Sequence, residues 1–122
     1  MANVLVVDDH RETCALLVRM FNRQGHVAAC VTDGRAALEY VRRATPDFIV
    51  LDFMMPDMDG LAVLRELRAQ PTTAAVPVAV YTAVADPRFE IYARDRGAND
   101  VWVKASIGIN DMIERMERIL AA

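Results

Sequence analysis

The sequence predicts an α/β fold in one domain spanning residues 1–122, with a parallel sheet of five strands and five helices on both faces. Three observations predict it. Short apolar runs rich in β-branched residues alternate with longer amphipathic runs from end to end. Capping or helix-stopping residues stand at most of the junctions. A length of 122 residues with 54% hydrophobic content suits one core, and neither a repeat nor a linker interrupts it.

The elements follow in order. Val4 to Val7 is a continuous apolar run, as a strand covered on both faces requires. Cys14, Leu17, Val18 and Phe21 then recur at helical spacing until Gly25 stops the helix. Val27 to Val31 reads as the second strand, and Thr32-Asp33 offers cap oxygens to a helix carrying Ala37, Leu38 and Val41 that ends before Pro46. Phe48 to Leu51 is the third strand and Val76 to Tyr81 the fourth, with Pro77 near its start. Between them Leu61, Leu64 and Leu67 mark a helix that Pro71 terminates. Asp86-Pro87 is a cap followed by proline at the first helical position, with Gly97 as the stop. Asp100 to Val103 is a short fifth strand, and Ile109, Met112, Ile113, Met116 and Ile119 draw the apolar stripe of the last helix.

Composition excludes several classes. The longest apolar runs are far short of a membrane span. The N-terminus enters an apolar run carrying two aspartates, which does not read as a signal peptide, so a cytoplasmic location is expected. A net charge of −3 argues against direct nucleic-acid binding by this domain, and Arg42-Arg43 and the Arg65/Arg68 pair read as solvated helix faces. Cys14 and Cys30 sit among apolar neighbours and read as two free thiols, since no histidine pair accompanies them to suggest zinc.

In an open parallel sheet, ligands gather outside the carboxyl ends of the strands. There the first strand ends in Asp8-Asp9, the third in Asp52, the fourth in Thr82 and the fifth in Lys104. Three packed carboxylates repel one another unless a cation neutralises them. Oxygen donors without cysteine or histidine suit Mg²⁺, with Mn²⁺ as the alternative. A nearby ammonium and hydroxyl suit the oxygens of a transferring phosphoryl group, and a carboxylate is a competent nucleophile toward one. Singly, each residue has a plainer explanation. Asp9 would serve as the cap of the first helix, His10 as an exposed first-turn residue, and Thr82 and Lys104 as ordinary strand ends. Asp8 and Asp52, each ending a buried strand, have no such explanation.

At these residues the chain resembles the receiver domain of bacterial response regulators, the family of the chemotaxis regulator, over nearly its whole length. The stretch Leu51-Asp52-Phe53-Met54-Met55-Pro56-Asp57-Met58-Asp59-Gly60 matches the family's phosphorylation loop, and the acidic pair, Thr82 and Lys104 fit its spacing. The resemblance implies a flavodoxin-like doubly wound sheet in strand order 2-1-3-4-5. It implies that Asp52 accepts the phosphoryl group, and that Asp9, Asp52 and the Met54 carbonyl bind Mg²⁺ directly with Asp8 acting through water. Lys104 would pair with the phosphoryl group and Thr82 would move toward it, shifting the domain between inactive and active states for protein–protein signalling. The donor would be a phosphohistidine on a sensor histidine kinase or phosphotransfer protein. The recipient would be a downstream protein target or an output domain outside this chain.

The sequence departs from the family pattern at three places. Ala105 follows Lys104 where the family has a cis proline, and a cis bond without proline costs about 3–4 kcal/mol, so a trans bond with Lys104 still facing Asp52 is expected. Val101 occupies the place of the switch aromatic, and Trp102 beside it is expected to point to the opposite side and pack on the strand. Met54 and Val84 beside the site are apolar, which predicts slow self-dephosphorylation. Phe89, Tyr92 and the Met112 to Met116 group are candidates for a partner surface on the fourth and fifth helices, with Tyr92 a surface candidate and the methionines read as core. Two rival readings stand beside the phosphoaccepting one: a degenerate receiver acting as a phosphorylation-independent binding module, and a Mg²⁺-dependent phosphatase. The retained acidic trio opposes the first; the adjacency of Asp8 and Asp9, without the Asp-x-Asp spacing of such phosphatases or a lid domain, opposes the second.

Overall fold

The computed structural model describes residues 1–56 and 58–122; Asp57, part of the loop signature, lies outside the described residues. Elements alternate strictly as β1 (Asn3–Val7), α1 (Arg11–Arg23), β2 (Val27–Val31), α2 (Gly34–Arg43), β3 (Phe48–Asp52), α3 (Gly60–Ala69), β4 (Val78–Thr82), α4 (Pro87–Asp95), β5 (Asp100–Val103) and α5 (Ile109–Ala121). All strand pairs are parallel, in the order β2-β1-β3-β4-β5. The expected fold class and strand order are observed.

Every residue of β3 and β4 is buried, because helices cover both faces of the sheet. On one face Leu5, Val7, Ile49, Leu51, Val80 and Val101 pack against α2, α3 and α4. On the other, Val4, Val6, Val50, Ala79, Tyr81 and Trp102 pack against α1 and α5. Val101 and Trp102 therefore point to opposite sides, as strand alternation requires. Trp102 is fully enclosed, stacked on Phe48 at a centroid distance of 5.8 Å, with its indole N–H donating to Asp100 Oδ2 at 2.9 Å. Met112 and Met116 are core residues, as expected.

The punctuation behaves as read. Asp33 and Asp86 cap α2 and α4 through their side chains, and Pro87 opens α4. Gly25 and Gly97 take positive φ just beyond α1 and α4, where a side chain would be strained. β4 begins two residues later than expected. Pro77 has no N–H for the ladder and stays outside it, its carbonyl accepting from Ile49 N–H at 3.0 Å.

Two expectations are corrected. Cys14 on α1 and Cys30 on β2 are joined as a disulfide with their Cα atoms 5.8 Å apart, a usual separation for such a bond. The free-thiol reading rested on compartment and composition, whereas the pairing depends on α1 lying against β2. Arg68 is likewise not on a solvated face. Half-buried at the end of α3, it donates to the carbonyls of Gly97, Thr73 and Val76 and to Asn99 Oδ1, satisfying groups left open by the turn before β4 and the loop before β5. No helix among the described residues is long and apolar enough to cross a membrane.

Candidate functional site

The order β2-β1-β3 reverses direction at β1, so the loops after β1 and β3 open a crevice between them. Asp8-Asp9 follows β1 and Asp52 ends β3 in that crevice, with Thr82 ending β4 and Lys104 following β5. Asp8, Asp52 and Thr82 are buried. One ligand atom each from Asp8, Asp9, His10 and Asp52 lies within 4.8 Å of the others.

Capping does not account for the acids. α1 is capped at His10 without a side-chain bond, which corrects the simpler reading of Asp9 as the cap. Asp8 is committed on both oxygens: Oδ1 accepts the His10 backbone N–H at 2.9 Å, and Oδ2 accepts from Lys104 Nζ at 3.3 Å. Asp9 Oδ1 and Asp52 Oδ2 are buried without a hydrogen-bond partner among the described residues. His10 Nδ1 lies 3.3 Å from Asp9 Oδ1 without making a hydrogen bond to it, so both oxygens remain unsatisfied, which is costly for buried carboxylates. A hard divalent cation satisfies both, so the donor set fits Mg²⁺ or Mn²⁺.

Lys104 reaches the site although Ala105 replaces proline. There is no cis peptide bond among the described residues, and the lysine backbone N–H donates to the Thr82 carbonyl at 2.7 Å. From there Nζ lies 3.4 Å from Asp52 Oδ1. The Thr82 hydroxyl accepts the Val84 backbone N–H at 3.0 Å, which anchors the start of the loop after β4. Met54, 67% exposed, donates its backbone N–H to Asp52 Oδ1 at 3.4 Å, while its side chain faces solvent. His10 is exposed as expected, yet its Nδ1 stands 3.4 Å from Asp8 and 3.3 Å from Asp9, at the rim of the cluster. Tyr92 is on the surface, with the Arg96 guanidinium over its ring, whereas Phe89 packs edge-on against Phe53.

Burial, and then the charge of Asp8, push the Asp52 carboxyl up to about 6 against the lowering pull of Lys104. Burial alone would lower the lysine, but the carboxylates of Asp52 and Asp8 outweigh it and hold its ammonium above the usual range. The Asp52 carboxyl stays protonated up to about 6 in the fold but ionises near 3.8 once unfolded. The folded state therefore binds more protons between those values, and stability is lost as pH rises through that window. Without divalent cations, wild type is expected to lose on the order of 1 kcal/mol from this group between pH 4 and 7. Asp52→Asn should lack that component in urea melts. Saturating Mg²⁺ should shrink it, because the cation favours the ionised form.

One contributor, and one feature of residue usage, escaped the sequence reading. Gly60 was read only as part of the loop signature, yet a Cβ there would collide with the Asp52 carbonyl oxygen and come within 2.8 Å of Phe53 Cα. Lys104 is also the chain's one lysine, every other strongly basic side chain being arginine. That usage was visible in the composition and singles out the position.

Residues 4–117 match the family model of the response regulator receiver domain. The chain is 38% identical over 103 residues to response regulator PleD of Caulobacter vibrioides, covering 84% of this chain and 23% of that protein. It is 35% identical over 117 residues to response regulator MprA of Mycolicibacterium vanbaalenii, covering 96% and 49%. It thus spans about a quarter to a half of these relatives. The receiver domain of Francisella response regulator 1452 superposes with a TM-score of 0.92 at 28% identity, covering 99% of this chain and 98% of that one. Chemotaxis response regulator CheY4 of Vibrio cholerae superposes with a TM-score of 0.90 at 26% identity, covering 98% of each. With the crevice, the acids and the lysine arranged as described, the chain belongs to the response regulator receiver domain family and is a receiver domain of two-component signalling.

Proposed function

We propose that Asp52 is the phosphoacceptor of this receiver domain and that it acts with a divalent cation, Mg²⁺ or alternatively Mn²⁺. The observation that carries this reading is the pair of buried, unpartnered carboxylate oxygens on Asp9 and Asp52, flanked by the Lys104 ammonium. Asp9 and Asp52 would hold the ion with the Met54 carbonyl, and Asp8, already engaged on both oxygens, would act through water. When bound, the ion supplies positive charge to the nonbridging oxygens of the phosphoryl group as it transfers.

The chain's own residues do the rest. An Asp52 carboxylate oxygen forms a bond to phosphorus while the bond to the donor breaks, and the electron pair of that broken bond leaves with the donor. With a phosphohistidine donor, the pair stays on the imidazole nitrogen. Lys104 neutralises charge on the transferred group, and the Thr82 hydroxyl, released from Val84 N–H, hydrogen-bonds a phosphoryl oxygen. That exchange of partners biases the loop after β4 between two states. Met54 and Val84 offer no polar group to orient an attacking water, so the acyl phosphate should be long-lived.

The donor is a phosphohistidine of a sensor kinase or phosphotransfer protein in the cytoplasm, and the output is protein contact rather than direct nucleic-acid binding. The chemistry is confined to the chain's own carboxylate, and residues 1–122 act as one domain. Mg²⁺ dependence tests the proposal. Millimolar Mg²⁺ should raise the melting temperature of wild type but not of Asp9→Ala, since a ligand that binds only the fold stabilises it. Excess EDTA should abolish phosphoryl uptake from acetyl phosphate. Uptake at full rate in EDTA would contradict it.

A further inference from the structure

The side chain of Lys104 has four rotatable carbons, and no proline follows it to fix the loop. Its ammonium nevertheless stands between Asp8 and Asp52, and 5.0 Å from the centroid of the Tyr81 ring. A cation within about 6 Å of an aromatic face is attracted by the ring quadrupole. The ring is itself held in place, at 8% exposure, in the apolar layer facing α1 and α5. In the sheet register Tyr81 pairs with Asp52 on one side and with Trp102 on the other. Its neighbour Thr82 gives its carbonyl to the lysine backbone N–H. The phenol oxygen makes no hydrogen bond among the described residues, so the ring face, not the hydroxyl, is what the position uses.

We propose that Tyr81 is a positioning residue for phosphoryl transfer, its ring face holding the Lys104 ammonium toward Asp52 in place of the restraint a following proline would give. The proposal rests on Asp52 as acceptor and adds the residue that aims the lysine at it. Phenylalanine should replace Tyr81; an aliphatic residue should not.

Because the chain has one lysine, lysine labelled with ¹³C gives a single ε-methylene signal in NMR. In wild type and Tyr81→Phe this signal should be displaced upfield by the ring. In Tyr81→Leu, or Tyr81→Met if the leucine variant folds poorly, it should return to the position of an exposed lysine. Phosphoryl uptake at saturating acetyl phosphate and Mg²⁺ should stay near wild type in Tyr81→Phe and fall roughly three- to tenfold in Tyr81→Leu. The loss should vanish in a Lys104→Ala background, which a general packing defect would not show. An undisplaced signal in wild type, an equal loss in the Lys104→Ala background, or a Tyr81→Phe as slow as Tyr81→Leu would each overturn the proposal. A wild type that takes up no phosphoryl group would overturn the acceptor reading and the positioning role with it, whereas a displaced methylene would still place the lysine on the ring.

Discussion

Lys104→Ala is expected to slow phosphoryl uptake by about a hundredfold or more at saturating donor, the usual loss when one preorganised charged donor is removed from a transition state. The ammonium lies 3.4 Å from Asp52 Oδ1 and 3.3 Å from Asp8 Oδ2, so it adjoins the proposed acceptor, where it would meet the charge developing on the phosphoryl oxygens. A second effect acts in the same direction. Lys104 lowers the Asp52 carboxyl against burial and Asp8, and removing it lets that carboxyl rise further, leaving less of the nucleophilic form at neutral pH. Without Mg²⁺ the variant should also be less stable at neutral pH, because Asp8 and Asp52 then face each other without a cation. Lys104→Arg should recover only part of the rate, since a planar guanidinium does not reproduce a compact ammonium. The check is a time course of intact mass with acetyl phosphate; an alanine variant phosphorylated at the wild-type rate would remove the lysine from the mechanism.

Gly60→Ala should cost about 1–3 kcal/mol of stability, as overpacking does when the obstructing atoms are backbone. The methyl group would press on the Asp52 carbonyl and on Phe53 Cα, neither of which turns aside like a side-chain tip. It would also strain the bond from Gly60 N–H to the Phe53 carbonyl, 2.7 Å long, which closes the loop after β3. Because that loop carries Met54 and sets the backbone of Asp52, phosphoryl uptake should fall as well. Gly108→Ala is the matched control, since nothing lies within 4 Å of a Cβ there, and it should stay within about 0.5 kcal/mol of wild type. Urea melts of the two variants decide the matter, and equal stabilities would show that the close approach at Gly60 does not matter.

Much of the architecture was legible because its signals are local. Apolar runs, cap residues and stop glycines are read one element at a time, and nearly every boundary held within two residues. The clustering of the candidate site was legible for the same reason: acids, hydroxyl and lysine sit at strand ends, and parallel strands bring their ends together. What stayed hidden depends on packing between elements. Cys14 and Cys30 are 16 residues apart in sequence, and only the seating of α1 on β2 brings them together. Arg68 reads as a solvated helix residue until the turn before β4 and the loop before β5 present their carbonyls to it. Asp9 reads as a sufficient cap because spacing alone does not tell which residue after a strand takes the cap position; the chain caps α1 at His10 and leaves the Asp9 carboxylate out of the cap. Gly60 carries no sequence signal that separates a tight backbone approach from an ordinary helix start.

Whether Asp52 accepts a phosphoryl group is decided by intact mass after incubation of wild type and Asp52→Asn with Mg²⁺ and acetyl phosphate. Wild type should gain one phosphoryl group, which hydroxylamine should remove as it does from an acyl phosphate, leaving a hydroxamate in its place, and Asp52→Asn should gain none. The same gain in both proteins, or none in a folded wild type with several donors, would contradict that role for Asp52.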